Sequence, residues 1–192
     1  TNIGSLFINN KSKTFSKILQ SDKFNNDLLM KQILDFLEKS NTKLDNISNI
    51  FVNQGPGNFS GLRGSLAIAK GVSLSKNISL YGYNTFLWSC VKFFNKKDEI
   101  YSLIKFNNKY FIKKFQKNLK SNVRAEEIKE DEIIKKYSDK FIVIPQNFSE
   151  YIDKRVLKLD NVNIANLNHN DLEFLRLKGL LDEELIKPLY LS

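Results

Sequence analysis

Residues 50–75, IFVNQGPGNFSGLRGSLAIAKGVSLS, constrain what this chain can fold into more than any other stretch. Ile50, Phe51 and Val52 form a short apolar, β-favouring run closed by turn formers, which is the pattern of a buried strand. Gly55-Pro56-Gly57 then predicts a turn, because glycine tolerates positive φ and proline presets it. Asn58 and Ser60 are both candidate N-caps for a helix running to about Lys76.

That helix accepts Gly64 and Gly71 in its interior, where each glycine costs about 1 kcal/mol relative to alanine. Gly64, Ala67 and Gly71 follow at intervals of three and four, so they line up as a stripe of minimal side chains. Leu62, Leu66, Ala69 and Val72 give an apolar stripe beside it. Two readings account for so smooth a face: close packing on the chain's own sheet, or a surface for a partner. The turn also offers a third reading, since free N–H groups at a helix N-terminus attract anions. Gly55, Gly57, Asn58 and Arg63 would then be the anion or nucleotide contacts. The phosphate motifs with glycine spacing do not fit: no Gly-Lys-Ser/Thr follows, and Ser60 stands where GxGxxG needs its third glycine.

The run Gln54-Gly55-Pro56-Gly57-Asn58-Phe59-Ser60-Gly61-Leu62-Arg63, followed by Ala67-x-Ala69-Lys70-Gly71, resembles the GPGSFTGLR…A.AKG signature of the bacterial TsaB (YeaZ) family. Asn58 and Ser60 depart mildly from the usual Ser and Thr. The likeness continues through Tyr81-Gly82-Tyr83-Asn84-Thr85-Phe86 and ends in Pro188-Leu189-Tyr190-Leu191, where relatives carry Pro-x-Tyr-Leu. It is strong over about residues 47–90 and positional elsewhere. The resemblance expects a further strand ending in Asp-Thr ahead of the first residues given, with Thr1 as that Thr.

With 192 residues the chain can form one large or two small domains, and 42% hydrophobic residues suffice for a core. The formal charge of +9 raises a nucleic-acid reading. Yet the lysines are spread among abundant Asn, Ile and Phe, as an AT-rich genome would spread them, and define no patch. The lone Cys90 sits in an apolar run, excludes an internal disulfide and suits a buried, inert thiol in a reducing cytoplasm. No apolar run reaches the ~20 residues of a membrane-spanning helix.

Taken in order, the chain predicts a hairpin over residues 1–19 with its turn at Asn9-Asn10-Lys11. A helix over about 27–40, capped by Asn26, follows. Its apolar face is Met30, Ile33, Leu34 and Leu37, widened by Leu28 and Leu29. After the central motif come a strand at 78–82, an aromatic helix at 85–94 anchored by Trp88, and a polar domain boundary at residues 95–98. The second half predicts a hairpin through Asn107-Asn108, a charged helix at 125–137, a strand at 141–144 and a helix at 170–178 closed by Gly179. The expected division is residues 1–95 and 96–192, with the last residues returning to the first lobe.

His169 is the only histidine, so a two-histidine metal site cannot form within this chain, and its place at a helix start reads as a solvent-facing cap. No convergent carboxylate pair follows from spacing. Arg63, one turn inside the central helix, can clamp a phosphate or a partner carboxylate, or form a surface salt bridge.

Element order makes this an α/β protein. The resemblance implies more: the two-lobed actin-like, ribonuclease H-like duplicated fold, and a non-catalytic subunit that binds and stabilises the catalytic TsaD subunit. That assembly, with the ATPase TsaE, places threonylcarbamoyl on the adenosine beside the anticodon of certain tRNAs. On that reading the partner interface is Met30, Ile33, Leu34, Leu37, Leu62, Arg63, Leu66, Ala67, Lys70 and Gly71. The chain would have no cofactor of its own, ATP or ADP would sit at the interface of the complex, and tRNA would be met only through it. An autonomous ATP-using or peptidase-like enzyme and a homodimeric scaffold are the alternatives. Two departures from the family pattern stand out: Phe24-Asn25-Asn26 replaces His-Ser-Glu, and Lys105-Phe106-Asn107 replaces Asp-Ala-Arg.

Overall fold

A computed structural model describes residues 4–9, 13–19 and 27–191. The chain divides into two compact units, Thr1–Tyr83 with Leu181–Tyr190, and Asn84–Leu180 with Leu191–Ser192. The boundary therefore falls at Tyr83/Asn84, ahead of the polar 95–98 segment. Asn26 and the turn residues Asn10 and Lys11 lie outside the described residues.

In the first unit, β1 (Ser5–Asn9) and β2 (Thr14–Ile18) pair antiparallel with Phe7 opposite Ser16. α1 (Asp27–Lys39) buries Phe36 and Leu37 and ends at Asn41, whose φ of 50° breaks the helix. β3 (Asn49–Asn53) pairs in parallel with β4 (Ser79–Tyr83), joined by α2 (Phe59–Lys76) as the crossover. α2 starts where its cap allows: Asn58 is extended, and its side-chain oxygen accepts from the Gly61 N–H at 2.6 Å. It stops at Asn77, which is left-handed. Leu66 and Ala69 face the strands and form a small core with Val52 and Ile186.

Ile186 belongs to the returning segment, and backbone hydrogen bonds hold that segment in place. Gly82 and Asp182 exchange N–H···O bonds of 2.7 and 2.9 Å, and the Leu189 N–H donates to the Gln54 carbonyl at 2.7 Å. The buried Gln54 side chain adds two more, donating from Nε2 to Asp182 Oδ2 at 2.9 Å and to the Lys187 carbonyl at 3.1 Å. Glycine at 82 makes this possible. A Cβ there would come within 2.8 Å of the Gln54 side chain and 2.9 Å of Ile186.

In the second unit, Asn84 caps α3 (Thr85–Cys90) by accepting from the Leu87 N–H at 3.0 Å. The central hairpin is β5 (Glu99–Phe106) and β6 (Lys109–Gln116). Its turn residues Asn107 and Asn108 have φ of 49° and 60°, the left-handed pair that matches strand twist. β7 (Glu126–Ile128), α4 (Glu130–Lys136), β8 (Ile142–Pro145), α5 (Gln146–Ser149), α6 (Lys154–Leu157), β9 (Val162–Ala165) and α7 (Asp171–Leu177) complete the unit. The sheet order is β7-β6-β5-β8-β9, with β8 and β9 parallel to β5. One face, through Tyr101, Leu103, Tyr110, Ile112, Ile142 and Ile144, packs on Ile133 of α4 and Val156 of α6. From the other face Ser102 meets Ser89 of α3 at 2.9 Å.

Two expectations change here. Residues 125–137 are not one helix: Ile128 is buried opposite Tyr110, and that pairing draws Glu126–Ile128 into the sheet as β7. The helix starts only at Glu130. The i, i+4 spacing along this segment predicts the ion pairs Asp131–Lys135 and Glu132–Lys136; the second forms at 2.8 Å, while Asp131 lies 3.7 Å from Arg155 instead.

Gly82→Ala should therefore lower unfolding free energy by about 1–3 kcal/mol, as overpacking does. Denaturant titration of the variant checks this, and an unchanged midpoint would show the contacts at Gly82 to be slack.

Candidate partner interface

The Gly-Pro-Gly turn faces inward. Gly55 has φ of 125° and joins Pro56 through a cis peptide, and both are buried. A Cβ at 55 would lie 3.0 Å from the Leu189 carbonyl oxygen, and one at 57 would lie 3.3 Å from the Leu62 side chain. The Gly55 N–H already donates to Asn53 Oδ1 at 2.8 Å, and Asn58 is engaged as the cap of α2. The Gly55 N–H and the Asn58 side-chain oxygen thus have partners within the chain, and the turn lies against the returning segment at Leu189.

The opposite side of α2 is open. Leu62 and Leu66 are buried, whereas Arg63, Ala67, Lys70 and Gly71 are exposed, so the predicted set splits between core and surface. A Cβ built at Gly71 meets nothing within 4 Å. Among the described residues nothing requires glycine there, although it weakens the helix. Leu74, one turn further on, is 85% exposed. The sequence reading missed it, although it continues the Ala67–Lys70–Gly71 row at helical spacing. On the neighbouring α1, Leu34 is 47% exposed, Met30 and Ile33 are half-buried, and Leu37 is core. Leu74 and Gly71 thus lie side by side on the open face of α2.

Arg63 projects from the start of this row. Its guanidinium carbon lies 4.9 Å from the Phe59 ring centroid, and Phe59 stacks on Tyr190 with centroids 5.3 Å apart and planes at 25°. Among the described residues no carboxylate pairs with Arg63 or Lys70, while Lys76 is paired with Asp45 at 2.8 Å.

Groups with nucleophilic or basic chemistry lie elsewhere. Cys90 is fully buried, and desolvation pushes its thiol up to about 12 despite hydrogen bonds from Ser89 and Ser102. His169 is not a solvent-facing cap. Its ring lies 4.9 Å from that of Trp88, and burial lowers its pKa from the usual value. Lys105, within one of the two departures noted from the family pattern, sits over the Tyr110 ring at 4.9 Å. Residues 24–26, the other departure, lie outside the described residues. Among the described residues no helix is long and apolar enough to cross a membrane.

Because the folded chain resists protonating His169 while the unfolded chain does not, acid should destabilise it. Stability should be fully present above pH about 6.5 and fall as pH drops below it. Thermal melts from pH 7.5 to 5 should show this for the native chain. The drop should shrink in His169→Phe, and an equal drop in both would dismiss the residue as its source.

The family described as TsaD, tRNA N6-adenosine threonylcarbamoyltransferase, matches residues 21–103. The tRNA threonylcarbamoyladenosine biosynthesis protein TsaB of Buchnera aphidicola subsp. Baizongia pistaciae is 42% identical over 50 residues, 26% of this chain. The matched stretch spans 23% of that relative's length. Two solved Pseudomonas aeruginosa structures share the fold. One, described as similar to the peptidase YeaZ, has a TM-score of 0.70 at 12% identity, covering 100% of this chain and 95% of the other. The other, YeaZ itself, has a TM-score of 0.67 at 13% identity over 99% and 95%. The chain has the actin-like, ribonuclease H-like α/β fold of YeaZ, and its likeness in both sequence motif and architecture is to the TsaB (YeaZ) family.

Proposed function

We propose that this chain is a non-catalytic subunit that binds and stabilises a TsaD-type catalytic subunit in threonylcarbamoyl modification of tRNA adenosine, through the exposed faces of α1 and α2. The observation that carries this reading is Gly71, a helix-weakening residue with open space around it. A glycine in mid-helix costs about 1 kcal/mol against alanine. Among the described residues nothing offsets that loss; the approach of another backbone would. Ala67, Leu34 and Leu74 extend the same surface with short or apolar groups.

The chemistry of the remaining groups supports the non-catalytic half of the proposal. The one thiol is buried and held protonated, and the one imidazole packs against Trp88. The TsaE-type ATPase and tRNA then meet this chain through the assembly. Since the Gly55 N–H and the Asn58 side-chain oxygen are engaged within the chain, any ATP or ADP of the complex rests chiefly on groups the partner contributes.

Two substitutions at one position separate fold from function. Gly71→Ala should raise the stability of the isolated chain by about 0.5–1 kcal/mol. Gly71→Leu should leave thermal unfolding no worse and weaken association with the TsaD-type subunit at least 100-fold in sedimentation or calorimetry. Undiminished binding of Gly71→Leu would overturn the interface.

A further inference from the structure

We infer that this chain itself grips the phosphate backbone of an RNA, at a lysine-rich corner of the second unit built from residues 92–97, 117–120 and 178. The class of nucleic acid rests on the proposed function, whereas the corner stands on its own geometry. In sequence these lysines define no patch; the fold collects them. The Asn95 N–H donates to the Lys117 carbonyl at 2.7 Å, which lays the turn carrying Lys96 and Lys97 beside the one carrying Lys117 and Lys120. Phe94 meets Phe174 of α7 edge-on, with ring centroids 5.2 Å apart, and so brings the end of that helix alongside. Lys178 there sits 5.6 Å from both centroids. Lys97 lies 4.8 Å over the ring of Phe141, which Phe93 meets edge-on at 4.9 Å.

Lys92, Lys96, Lys97, Lys117, Lys120 and Lys178 are all exposed. Asp98 lies 3.4 Å from Lys117, and Asp171 faces Lys92. Among the described residues no carboxylate pairs with Lys96, Lys97, Lys120 or Lys178, because Glu99, Asp139 and Glu173 are taken by Lys114, Lys140 and Arg176. The excess is local. Near the hairpin end of the same sheet, Glu126, Glu127, Glu130, Asp131 and Glu132 gather on β7 and the start of α4. The kind of cation then selects the ligand. Arg176 is forked onto Glu173 by bonds of 2.8 and 2.6 Å, so its planar fork is spent within the chain. What remains are lysines, compact point charges that suit phosphate oxygens from many directions. Phe94, Phe141 and Phe174 are half-buried with lysines over them, so they hold ammonium groups rather than offer faces to bases. Such a contact positions an RNA without reading its sequence, and salt weakens it. RNA is favoured over a layer of lipid phosphates because the proposed reaction already brings an RNA to this chain.

The test is fluorescence anisotropy of the full chain with a labelled, unmodified tRNA transcript across a salt series. Two triple variants remove equal charge. Lys96→Gln/Lys97→Gln/Lys178→Gln alters the corner, and Lys109→Gln/Lys129→Gln/Lys154→Gln alters the hairpin end, where the Asp153 N–H donates to the Tyr110 hydroxyl. The native chain should bind at low salt, with log affinity falling linearly as log salt rises. The corner triple should weaken binding at least tenfold and reduce that slope by about 2–3, while the other triple stays within about twofold of native affinity. Lys96→Gln alone leaves every ring contact intact and should reduce the slope by about 1 with thermal unfolding unchanged. Equal losses in both triples would make net charge the cause and overturn the inference, as would a native chain that binds no transcript at low salt. Tighter binding to phosphatidylglycerol vesicles than to the transcript, lost in the corner triple, would reassign the corner to a membrane surface. The corner triple should keep native affinity for the TsaD-type subunit, and losing that affinity with RNA binding intact would also refute this inference. Failure of the native chain to bind that subunit would overturn the proposed function and leave the transcript series to decide this one.

Discussion

The first unit depends on one close approach, that of the returning segment to Gln54. Its carbonyl accepts from Leu189, and its side-chain amide donates to Asp182 and Lys187. A buried amide is stable only when its donors and acceptors are met, and here a distant stretch of chain meets them. Two absences of a side chain make room. At Gly55 the backbone turns with a φ that other residues rarely adopt, and at Gly82 the Gln54 side chain lies where a methyl group would be. The motif that looks like a ligand cradle is therefore first a joint, and its order fixes where α2 begins and which face it turns outward.

Much of that arrangement was legible because local chemistry decided it. The β3–turn–α2 sequence, the Asn58 cap, the Asn107-Asn108 hairpin and the Gly179 stop each follow from residues within a turn or two. What escaped depended on distant partners. Residues 126–128 have a charged, helix-compatible sequence, yet Ile128 finds a buried place beside Tyr110 that only the assembled sheet provides. His169 looked like a cap because it stands among asparagines. Trp88, distant in sequence, both packs on its ring and donates its indole N–H to the Asn168 carbonyl at 2.9 Å. The short helices α5 and α6 and the edge strand β9 have too few residues for periodicity to declare them.

The candidate interface was half legible. Helical spacing picked out the residues that share the α2 helix but could not say which of its rows points at the strands. Leu62 and Leu66 proved to be core, while Ala67, Lys70 and Gly71 remained outside. Leu74 was missed for a related reason: among Ser73, Ser75 and Lys76 it breaks no pattern, and only its 85% exposure marks it. On the outer face of α2, Ala67 and Gly71 lie with the exposed Arg63, Lys70 and Leu74.

The threading of Leu181–Tyr190 back into the first unit bears on how this protein is made. Ile186 completes a core whose other members lie before residue 84, so on the ribosome the amino-terminal part waits for residues 181–190 to emerge. The segment Asn84–Leu180 contains its own five-stranded sheet and has no such wait. Synthesis order and assembly order are thus reversed: the part translated second can close first, and α2 becomes fixed only after Leu181–Tyr190 has followed it.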